Sequence, residues 1–276
     1  MAKQYPRTEV LARLKGQVDK GKALLLFGAG TGLTAKCAEK GGADLICVYS
    51  TARCRMSGRP SLLAWLPYGD CNQSTFEMAG EILPMIKEAP CIAGLGAHDP
   101  TLDLDYLVEE ALAHGFSGVT NEPFAGMYGE AFGTELERAG MGFSREVELV
   151  RTARRRDVFT LAWAFSAEEG KAMAEAGADV IGAMIGVTSG GFTGAGKTAS
   201  LEEAVQRIRE ICDAVRDVNP NTYVVTHGGP IKDLESAELS IRQTSAVGYV
   251  AGSSGERIPT ERAIVDLTKR FKDIGI

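Results

Sequence analysis

Basic residues are not in excess in this sequence, and it has no long apolar run. Its 276 residues include 30 Lys and Arg against 36 Asp and Glu, which gives a formal net charge of −6. The one dense basic block, Arg154–Arg156, is typical of a solvated helix end, so we expect no nucleic-acid partner. No apolar run approaches the roughly 20 residues that cross a bilayer, and residues 1–6 lack a signal core. These absences predict a cytoplasmic protein with no membrane partner.

Cysteine is scarce and shows no metal-binding spacing. None of the six Cys residues forms a Cys-x-x-Cys motif, and three lie in or beside predicted strands. This usage is typical of buried free thiols in a reducing compartment and argues against a disulfide framework or a zinc site.

Short apolar runs recur eight times and stop at glycine, a small hydroxyl residue or a titratable side chain. Most intervening stretches can hold a helix. Eight strand–helix units predict an α/β fold, a closed parallel (β/α)8 TIM barrel, whose chemistry lies at the carboxyl ends of the strands. The predicted strands are Ala23–Gly28, Ala43–Ser50, Cys91–Gly96, Ser117–Glu122, Val158–Phe165, Ala178–Gly186, Thr222–His227 and Val247–Ser253.

The whole chain is expected to form one barrel domain, with residues 1–21 as a leading helix and residues 22–276 as the barrel. Leu11, Leu14 and Val18 share one face of this extra N-terminal helix, which we expect to close the barrel floor. Lys36–Ile46 is similar to Lys171–Ile181. Either a half-barrel duplication or a generic helix–Gly-Ala-Asp–strand joint accounts for that similarity.

Three connections after predicted strands are long: 51–73, 124–142 and 187–199. Long connections at the carboxyl face are typical of lids or substrate loops. Trp65, Tyr68 and Tyr128, which lie in them, instead suit an oligomer interface or an ordinary covering loop.

The loops after strands seven and eight predict an anion site. Barrels often bind phosphate there, and these loops combine glycines with hydroxyl side chains and an arginine. The alternative is a pair of tight turns that merely need glycine. The candidate phosphate-binding residues are Gly228, Gly229, Gly252, Ser253, Ser254 and Arg257.

The segment Gly191–Thr198 matches the nucleotide P-loop pattern G-x-x-x-x-G-K-T. In a P-loop, however, the Gly-Lys-Thr opens a helix directly. Here a capping box, Ser200 with Glu203, places the helix start beyond Thr198. A nucleotide-binding protein that uses Lys197 is therefore kept as an alternative function.

Titratable side chains follow three of the predicted strands. His98 and Asp99 follow the third strand, Glu122 ends the fourth and His227 ends the seventh. In a barrel these positions converge on one mouth, where histidine and carboxylate can move protons or hold a metal. The alternative for each residue is a rim or satisfied core position.

Four motifs resemble the phosphoenolpyruvate hydrolase-like proteins, also called TIM-barrel signal-transduction proteins. This family is similar to the wider phosphoenolpyruvate/pyruvate-domain barrels, such as phosphonopyruvate hydrolase. The motifs are Val48–Thr51, Thr120–Pro123, Gly186–Gly191 and Gly252–Glu261.

The resemblance implies a homo-oligomeric (β/α)8 barrel that takes a small anionic metabolite. It implies that Ser50 and Thr51 hold the substrate carboxylate and that Glu122 helps to hold Mg²⁺. The chain departs from the wider group at Ala93–Asp99, where glycines replace an Asp-x-Asp pair. It also lacks a lysine-bearing loop after strand four.

The leading hypothesis is a hydrolase or lyase that acts on a phosphorylated or phosphonylated keto or enol acid such as phosphoenolpyruvate. His98 or His227 would serve as the general base, and Glu122, with or without Mg²⁺, would stabilise the enolate. The alternative is a non-catalytic, ligand-sensing barrel.

Overall fold

A computed structural model describes residues 2–276 of the chain. Eight parallel strands close into a barrel in the order β1 to β8, with each strand hydrogen-bonded to its sequence neighbours and β8 paired with β1. The predicted (β/α)8 fold is therefore confirmed. The strands are β1 Leu24–Ala29, β2 Leu45–Val48, β3 Cys91–Gly94, β4 Gly118–Thr120, β5 Phe159–Ala164, β6 Val180–Met184, β7 Tyr223–His227 and β8 Gly248–Ala251.

Helices follow the strands and surround the barrel, and short 3-10 helices cover Ser61–Trp65, Leu83–Met85 and Ala125–Tyr128. The α-helices are α1 Arg7–Val18, α2 Gly32–Lys40, α3 Ser50–Met56, α4 Cys71–Ile82, α5 Leu104–Ala113, α6 Gly129–Arg138, α7 Phe143–Arg155, α8 Ala167–Glu175, α9 Leu201–Val218, α10 Leu234–Arg242 and α11 Arg257–Lys272.

The leading helix α1 closes the amino end of the barrel, as predicted. Its Val10 and Leu14 are fully buried and join the same apolar cluster as Leu24 and Leu26 of β1. Arg7, the first residue of α1, forms a salt bridge of 2.6 Å with Asp179, the residue that precedes β6. The helix is thus fixed to the barrel by apolar burial and by one largely buried ion pair.

Alternate residues along each strand face the barrel interior or the surrounding helices. In β5, Leu161 and Trp163 belong to the inner apolar cluster, whereas Ala162 and Ala164 belong to the outer one. Because Trp163 is the last inward-facing residue of β5, its ring closes the packed interior just below the carboxyl ends. The space available to a ligand therefore begins at the level of this ring.

Six of the eight strands end one or two residues earlier than the sequence predicted, and two of these early ends matter for the site. The predicted strand 43–50 ends at Val48, and Ser50 and Thr51 form the first turn of α3. Likewise, β4 ends at Thr120, two residues before Glu122. Polar side chains at these positions leave the sheet register and turn across the mouth of the barrel.

All six cysteines are free thiols, as predicted. Three of them, Cys47, Cys91 and Cys212, are buried, whereas Cys37 is exposed. The expectation that the thiols are buried is therefore only partly correct. Among residues 2–276, no helix combines the length and apolarity that a bilayer crossing requires. The cytoplasmic location stays a prediction.

The last helix, α11, departs from the barrel surface. Only its first two residues, Arg257 and Ile258, are buried. Ile264, Leu267 and Phe271 lie on one helical face and are 60%, 51% and 64% exposed. No part of residues 2–276 covers this apolar stripe.

Candidate active site at the barrel mouth

Side chains from six strand ends surround a small hollow at the carboxyl face of the barrel. We call this space the mouth hollow. Its cavity volume is about 40 Å³. The polar and charged lining includes Glu122 after β4 and His227 at the end of β7. The full lining is Tyr49, Thr51, Arg55, Ser61, Trp65, Glu122, Phe124, Met127, Trp163, Met184, Gly186, Val187, Thr188, His227 and Ser253.

Glu122 is the acidic group of the mouth hollow. Its side chain is buried, and the Thr51 hydroxyl donates a hydrogen bond to Oε1. Burial favours the neutral form and raises the pKa of Glu122 to about 8, although the Thr51 bond and the positive charge of Arg55 oppose this rise. At neutral pH Glu122 is therefore mostly a protonated acid that has a proton to donate.

Arg55 brings a buried positive charge to the same hollow. Its Nε donates to Glu256 at 2.7 Å, and a second guanidinium nitrogen donates to the Gly28 carbonyl of β1. The other oxygen of Glu256 accepts from the Gly30 amide at 2.6 Å and from the Thr34 hydroxyl. The guanidinium is thus held in place by β1 and by the loop after β8, with one face turned to the hollow.

His227 is a neutral hydrogen-bonding residue in this setting. Its Nδ1 lies 2.7 Å from the Val250 carbonyl, which fixes Nδ1 as the protonated nitrogen and leaves Nε2 with a free lone pair. Loss of hydration in the hollow lowers the pKa of His227 to about 4. Gly252 permits the close approach of this ring, since a Cβ there would lie 3.0 Å from Cε1 of His227.

A second buried carboxylic acid stabilises the turn after β4. Glu146 of α7 accepts hydrogen bonds from the Asn121 side chain and the Ala125 amide. Asn121 in turn accepts from the Trp163 amide at 2.8 Å. Burial raises the pKa of Glu146 to about 8. These contacts fix the segment that carries Glu122.

Two of the long loops meet over the mouth hollow. Trp65 after β2 donates its Nε1 proton to the Phe124 carbonyl after β4 at 2.7 Å, and the Tyr128 hydroxyl donates to the Trp65 carbonyl at 2.6 Å. The Phe124 ring lies 5.2 Å from the Trp65 ring and 5.8 Å from the Trp163 ring. Trp65 and Tyr128 thus belong to the roof of the hollow, whereas Tyr68 is exposed.

The structure places His98 and Asp99 outside the mouth hollow. Burial lowers the pKa of His98, its ring contacts the Pro123 backbone, and its buried Nδ1 has no partner. Asp99 accepts from the Thr101 amide at 2.8 Å and from its hydroxyl at 2.6 Å. Arg145 donates to the carbonyls of Ala97, Asp99 and Leu102, which fixes this loop.

Most of the candidate phosphate-binding groups already have partners in the protein. The Gly229 amide donates to the Gly186 carbonyl at 2.9 Å, and Ser254 shares a hydrogen bond of 2.6 Å with the Tyr249 hydroxyl. Arg257 forms a salt bridge of 2.9 Å with Glu261 and donates to the Gly190 carbonyl at 3.0 Å.

Of the six candidates, Ser253 lines the mouth hollow and Gly252 lies against His227, while Gly228 packs against Gly186. Thr51 also lines the hollow. Its neighbour Ser50 instead lines a separate cleft beside Cys54 and Cys71.

The segment Gly191–Thr198 does not have the form of a P-loop. Helix α9 begins at Leu201 behind the Ser200–Glu203 capping box, as predicted, so the Gly-Lys-Thr lies before the helix rather than in its first turn. Gly194 packs tightly against the Gly190 backbone. A nucleotide phosphate would not be enclosed here by the amides of a helix start.

The residues of the mouth hollow do not fit a magnesium ion. Mg²⁺ needs near-octahedral oxygen ligands, and Glu122 is the one carboxylate in the lining. Within residues 2–276, no group of three or more His, Cys, Asp or Glu could hold a metal. A side chain at Gly94 would overlap Tyr49, and one at Gly96 would overlap the Cys71 sulfur. The end of β3 thus has no room for carboxylates.

Sequence reasoning missed three residues of the mouth hollow: Arg55, Tyr49 and Trp163. The spacing of Thr51 and Arg55 was an available signal, because residues four apart on a helix share a face. Trp163 carried no such signal. Its buried Nε1 has no hydrogen-bond partner and is a donor available to a ligand.

Residues 9–274 match the family model described as phosphoenolpyruvate hydrolase-like. The chain belongs to the phosphoenolpyruvate hydrolase-like family. It is also 43% identical over 271 residues to the ToMV susceptible protein tm-1(GCR26) of Solanum lycopersicum. That match covers 98% of this chain and 36% of the tomato protein, so the chain spans little more than a third of this relative.

Solved structures share the fold of this family member. A phosphonopyruvate hydrolase in complex with oxalate and Mg²⁺ has a TM-score of 0.63 at 16% identity, covering 95% of this chain and 84% of that chain. An oxaloacetate acetylhydrolase has a TM-score of 0.61 at 16% identity, covering 99% and 90%. A 2,3-dimethylmalate lyase, described as a member of the PEP mutase/isocitrate lyase superfamily, has a TM-score of 0.60 at 17% identity, covering 98% of this chain and 88% of that chain. At this identity the likeness establishes the fold alone.

Proposed function

We propose that the mouth hollow is the active site of a hydrolase or lyase that acts on a small keto or enol acid, phosphoenolpyruvate or phosphonopyruvate being the leading candidates. The observation that carries the proposal is Glu122, a buried acid whose pKa of about 8 suits proton transfer near neutral pH. Family membership and structural neighbours that act on phosphonopyruvate or oxaloacetate support the same substrate class.

Some residues of the hollow would bind the substrate, and others would take part in proton transfer. Arg55, the Trp163 indole N–H and the Ser253 hydroxyl offer donors to the carboxylate of the acid. Transfer of the phosphoryl group to water breaks the P–C bond of phosphonopyruvate or the P–O bond of phosphoenolpyruvate and leaves the enolate of pyruvate, and C–C cleavage of a keto acid likewise leaves an enolate. Neutral Glu122 then donates a proton to the enolate carbon. His227, with Nε2 unprotonated, can accept a hydrogen bond from the attacking water. No step through a metal is derived, because the residues present do not fit one.

Release of pyruvate, phosphate or oxalate from phosphonopyruvate, phosphoenolpyruvate and oxaloacetate, with and without Mg²⁺, tests the proposal. Loss of an acid–base group typically slows the chemical step by about 10²–10⁴-fold, so Glu122→Gln should reduce kcat by that amount. Glu135→Gln, at an exposed carboxylate of α6, is the matched control and should leave kcat unchanged. Rates equal in wild type and Glu122→Gln for every acid would refute the proposal.

A non-catalytic ligand sensor is the second candidate function. The observation that favours it is the packing of Tyr49 against Gly94, which leaves no place for carboxylates on β3. In that case, binding of an acid would raise the thermal unfolding midpoint of the protein, and the acid would not be turned over.

We also propose that the chain forms a homo-oligomer through α11. The apolar stripe Ile264, Leu267 and Phe271 is uncovered, and an isolated helix of 16 residues is marginal unless such a face is buried. A second copy presents the same stripe, so two α11 helices can cover each other across a two-fold axis.

A further inference from the structure

A second and larger cavity adjoins the mouth hollow. Its volume is about 540 Å³, and it shares Met127, Gly186 and Val187 with the hollow. We call it the side cavity. Its other lining residues are Leu62, Ile185, Thr193, Gly194, Ala195, Lys197, Thr198, Ala199, Glu203, Arg207 and Gly229.

The volumes decide where the bulk of a ligand can lie. The mouth hollow, at about 40 Å³, has room for about three waters, since one water needs roughly 10–15 Å³ measured in this way. It can take one carboxylate group but not a whole three-carbon phosphorylated acid. The side cavity, which borders the hollow, has room for the remainder.

The charges of the side cavity favour an anion. Lys197 and Arg207 both line it. The ion pairs within residues 2–276 include neither of these two cations. Glu203 is the only acidic residue in the lining, and its carboxylate already accepts the Ser200 amide at 2.8 Å in the capping box of α9. Hydrogen bonds from Ser200 and, to a lesser degree, the nearby charge of Arg207 lower the pKa of Glu203, so this carboxylate offsets part of one cation. The lining of two cations and one carboxylate still carries an excess positive charge.

The wall between the two spaces is held by hydrogen bonds rather than being a free loop. The Ser189 amide donates to the Gly229 carbonyl at 3.0 Å, and Arg257 holds the Gly190 carbonyl at 3.0 Å. On the cavity side, the buried Thr193 hydroxyl has no hydrogen-bond partner. An anion in the side cavity would meet a fixed wall and an unused donor.

We infer that the side cavity binds the phosphate or phosphonate group of the ligand, with Lys197 and Arg207 as its cationic contacts. This inference rests on the proposed function and deepens it, because it names an acid with an anionic group at each end as the substrate class. The carboxylate lies in the mouth hollow near Arg55. It also gives Gly191–Thr198 a role in phosphate binding that needs no P-loop.

Isothermal titration calorimetry of the full chain with inorganic phosphate measures the phosphate affinity and tests the inference directly. Lys197→Ala and Arg207→Ala should each weaken phosphate binding about tenfold, because each removes one charge-assisted contact. Lys197→Arg should retain most of the affinity. Arg216→Ala is the matched control, since this exposed arginine lies on α9 with Arg207 but outside the cavity. The wild-type affinity should also fall as salt is added.

The outcomes separate this inference from the proposed activity. If the double variant Lys197→Ala/Arg207→Ala binds phosphate as wild type does, or if phosphoenolpyruvate does not displace phosphate from wild type, the inference is wrong even where turnover is seen. If phosphate binding depends on both cations while no acid is turned over, the phosphate site stands and the proposed catalysis does not. Equal unfolding midpoints of the unliganded variants would show that they remain folded.

Discussion

Burial alone gives Glu122 its chemical character. The group is enclosed by Tyr49, Trp163 and the loop roof, and its Thr51 and Arg55 neighbours do not offset the cost of removing a carboxylate from water. The same desolvation cost lowers the pKa of His227, so its ring is also neutral. One hollow therefore contains a proton donor and a lone-pair acceptor at neutral pH without any charged pair between them.

The stability of the protein should depend on pH in a way that identifies Glu122. Its pKa is about 8 when folded, against 4.5 in an exposed carboxyl, so the folded state holds a proton that the unfolded state releases. That stabilisation is complete at low pH and is lost as pH rises through the folded pKa. His227, with its lowered pKa, acts in the opposite sense and contributes only as pH falls.

Urea unfolding at several values between about pH 7 and 8 measures the effect. The free energy of unfolding of wild type should fall with rising pH, and Glu122→Gln should reduce the slope by up to about 1.4 kcal/mol per pH unit. Glu146, whose pKa is also raised by burial, adds its own contribution to the pH dependence of stability, and Glu122→Gln leaves that contribution unchanged. Glu135→Gln should show the wild-type slope, and an identical slope in Glu122→Gln would contradict the assigned pKa.

The residues of the hollow that the sequence predicted lie at a strand end or within three residues after it. Glu122, His227, Thr51 and Ser253 reach the hollow because the carboxyl ends of parallel strands meet there. His98 does not, because Arg145, 47 residues further along the chain, fixes its loop outside the hollow. A contact of that range leaves no local pattern in the sequence.

Among the elements, α3 links the site to the frame of the barrel. It is only seven residues long, yet Thr51 bonds Glu122 and Arg55 joins β1 to the Glu256 loop. The long connection after β2 predicted a lid or a substrate loop, but not a helix that begins immediately at Ser50. Tyr49 is the N-cap of this helix, and its ring packs across Gly28 of β1.

Removing the charge of Arg55 should destabilise the whole fold. The pair with Glu256 is almost completely buried, and loss of one partner leaves an uncompensated charge that typically costs about 3–5 kcal/mol. We expect Arg55→Met to lower the free energy of unfolding by that amount in urea titrations. Arg138→Met, which breaks an exposed pair with Glu135, should cost less than about 1 kcal/mol.

A double variant separates the charge effect from lost packing. Arg55→Met combined with Glu256→Met removes both buried charges, so it should be more stable than Arg55→Met alone. If the double variant is less stable than wild type by the full sum of the two single effects, the two residues are not coupled.

The pattern of apolar residues was sufficient to predict the barrel fold, but not where its last helix lies. All eight predicted strands overlap observed ones, because buried parallel strands and intervening amphipathic helices leave strong local patterns. The exposed placement of α11 could not be predicted in this way. An apolar stripe has the same sequence whether it faces its own barrel or another molecule.

The oligomer proposal predicts that α11 controls molecular mass in solution. Leu267→Glu or Phe271→Glu places a charge on the stripe and should shift the sedimentation coefficient to that of a monomer. Lys269→Glu, on the other side of the same helix, should leave the mass unchanged. Circular dichroism would verify that the fold is intact, and a wild-type monomer would disprove the assembly.

The contact of Tyr49 with Gly94 also limits how the site can be altered. A side chain at position 94 would overlap the Cβ of Tyr49, whose ring lies against Gly28. Because every residue except glycine has a Cβ, a smaller side chain at position 49 would not clear space for a carboxylate. Converting this mouth into one that carries carboxylates on β3 therefore requires a shift of the backbone at the end of β2 or β3, which a single side-chain exchange does not supply.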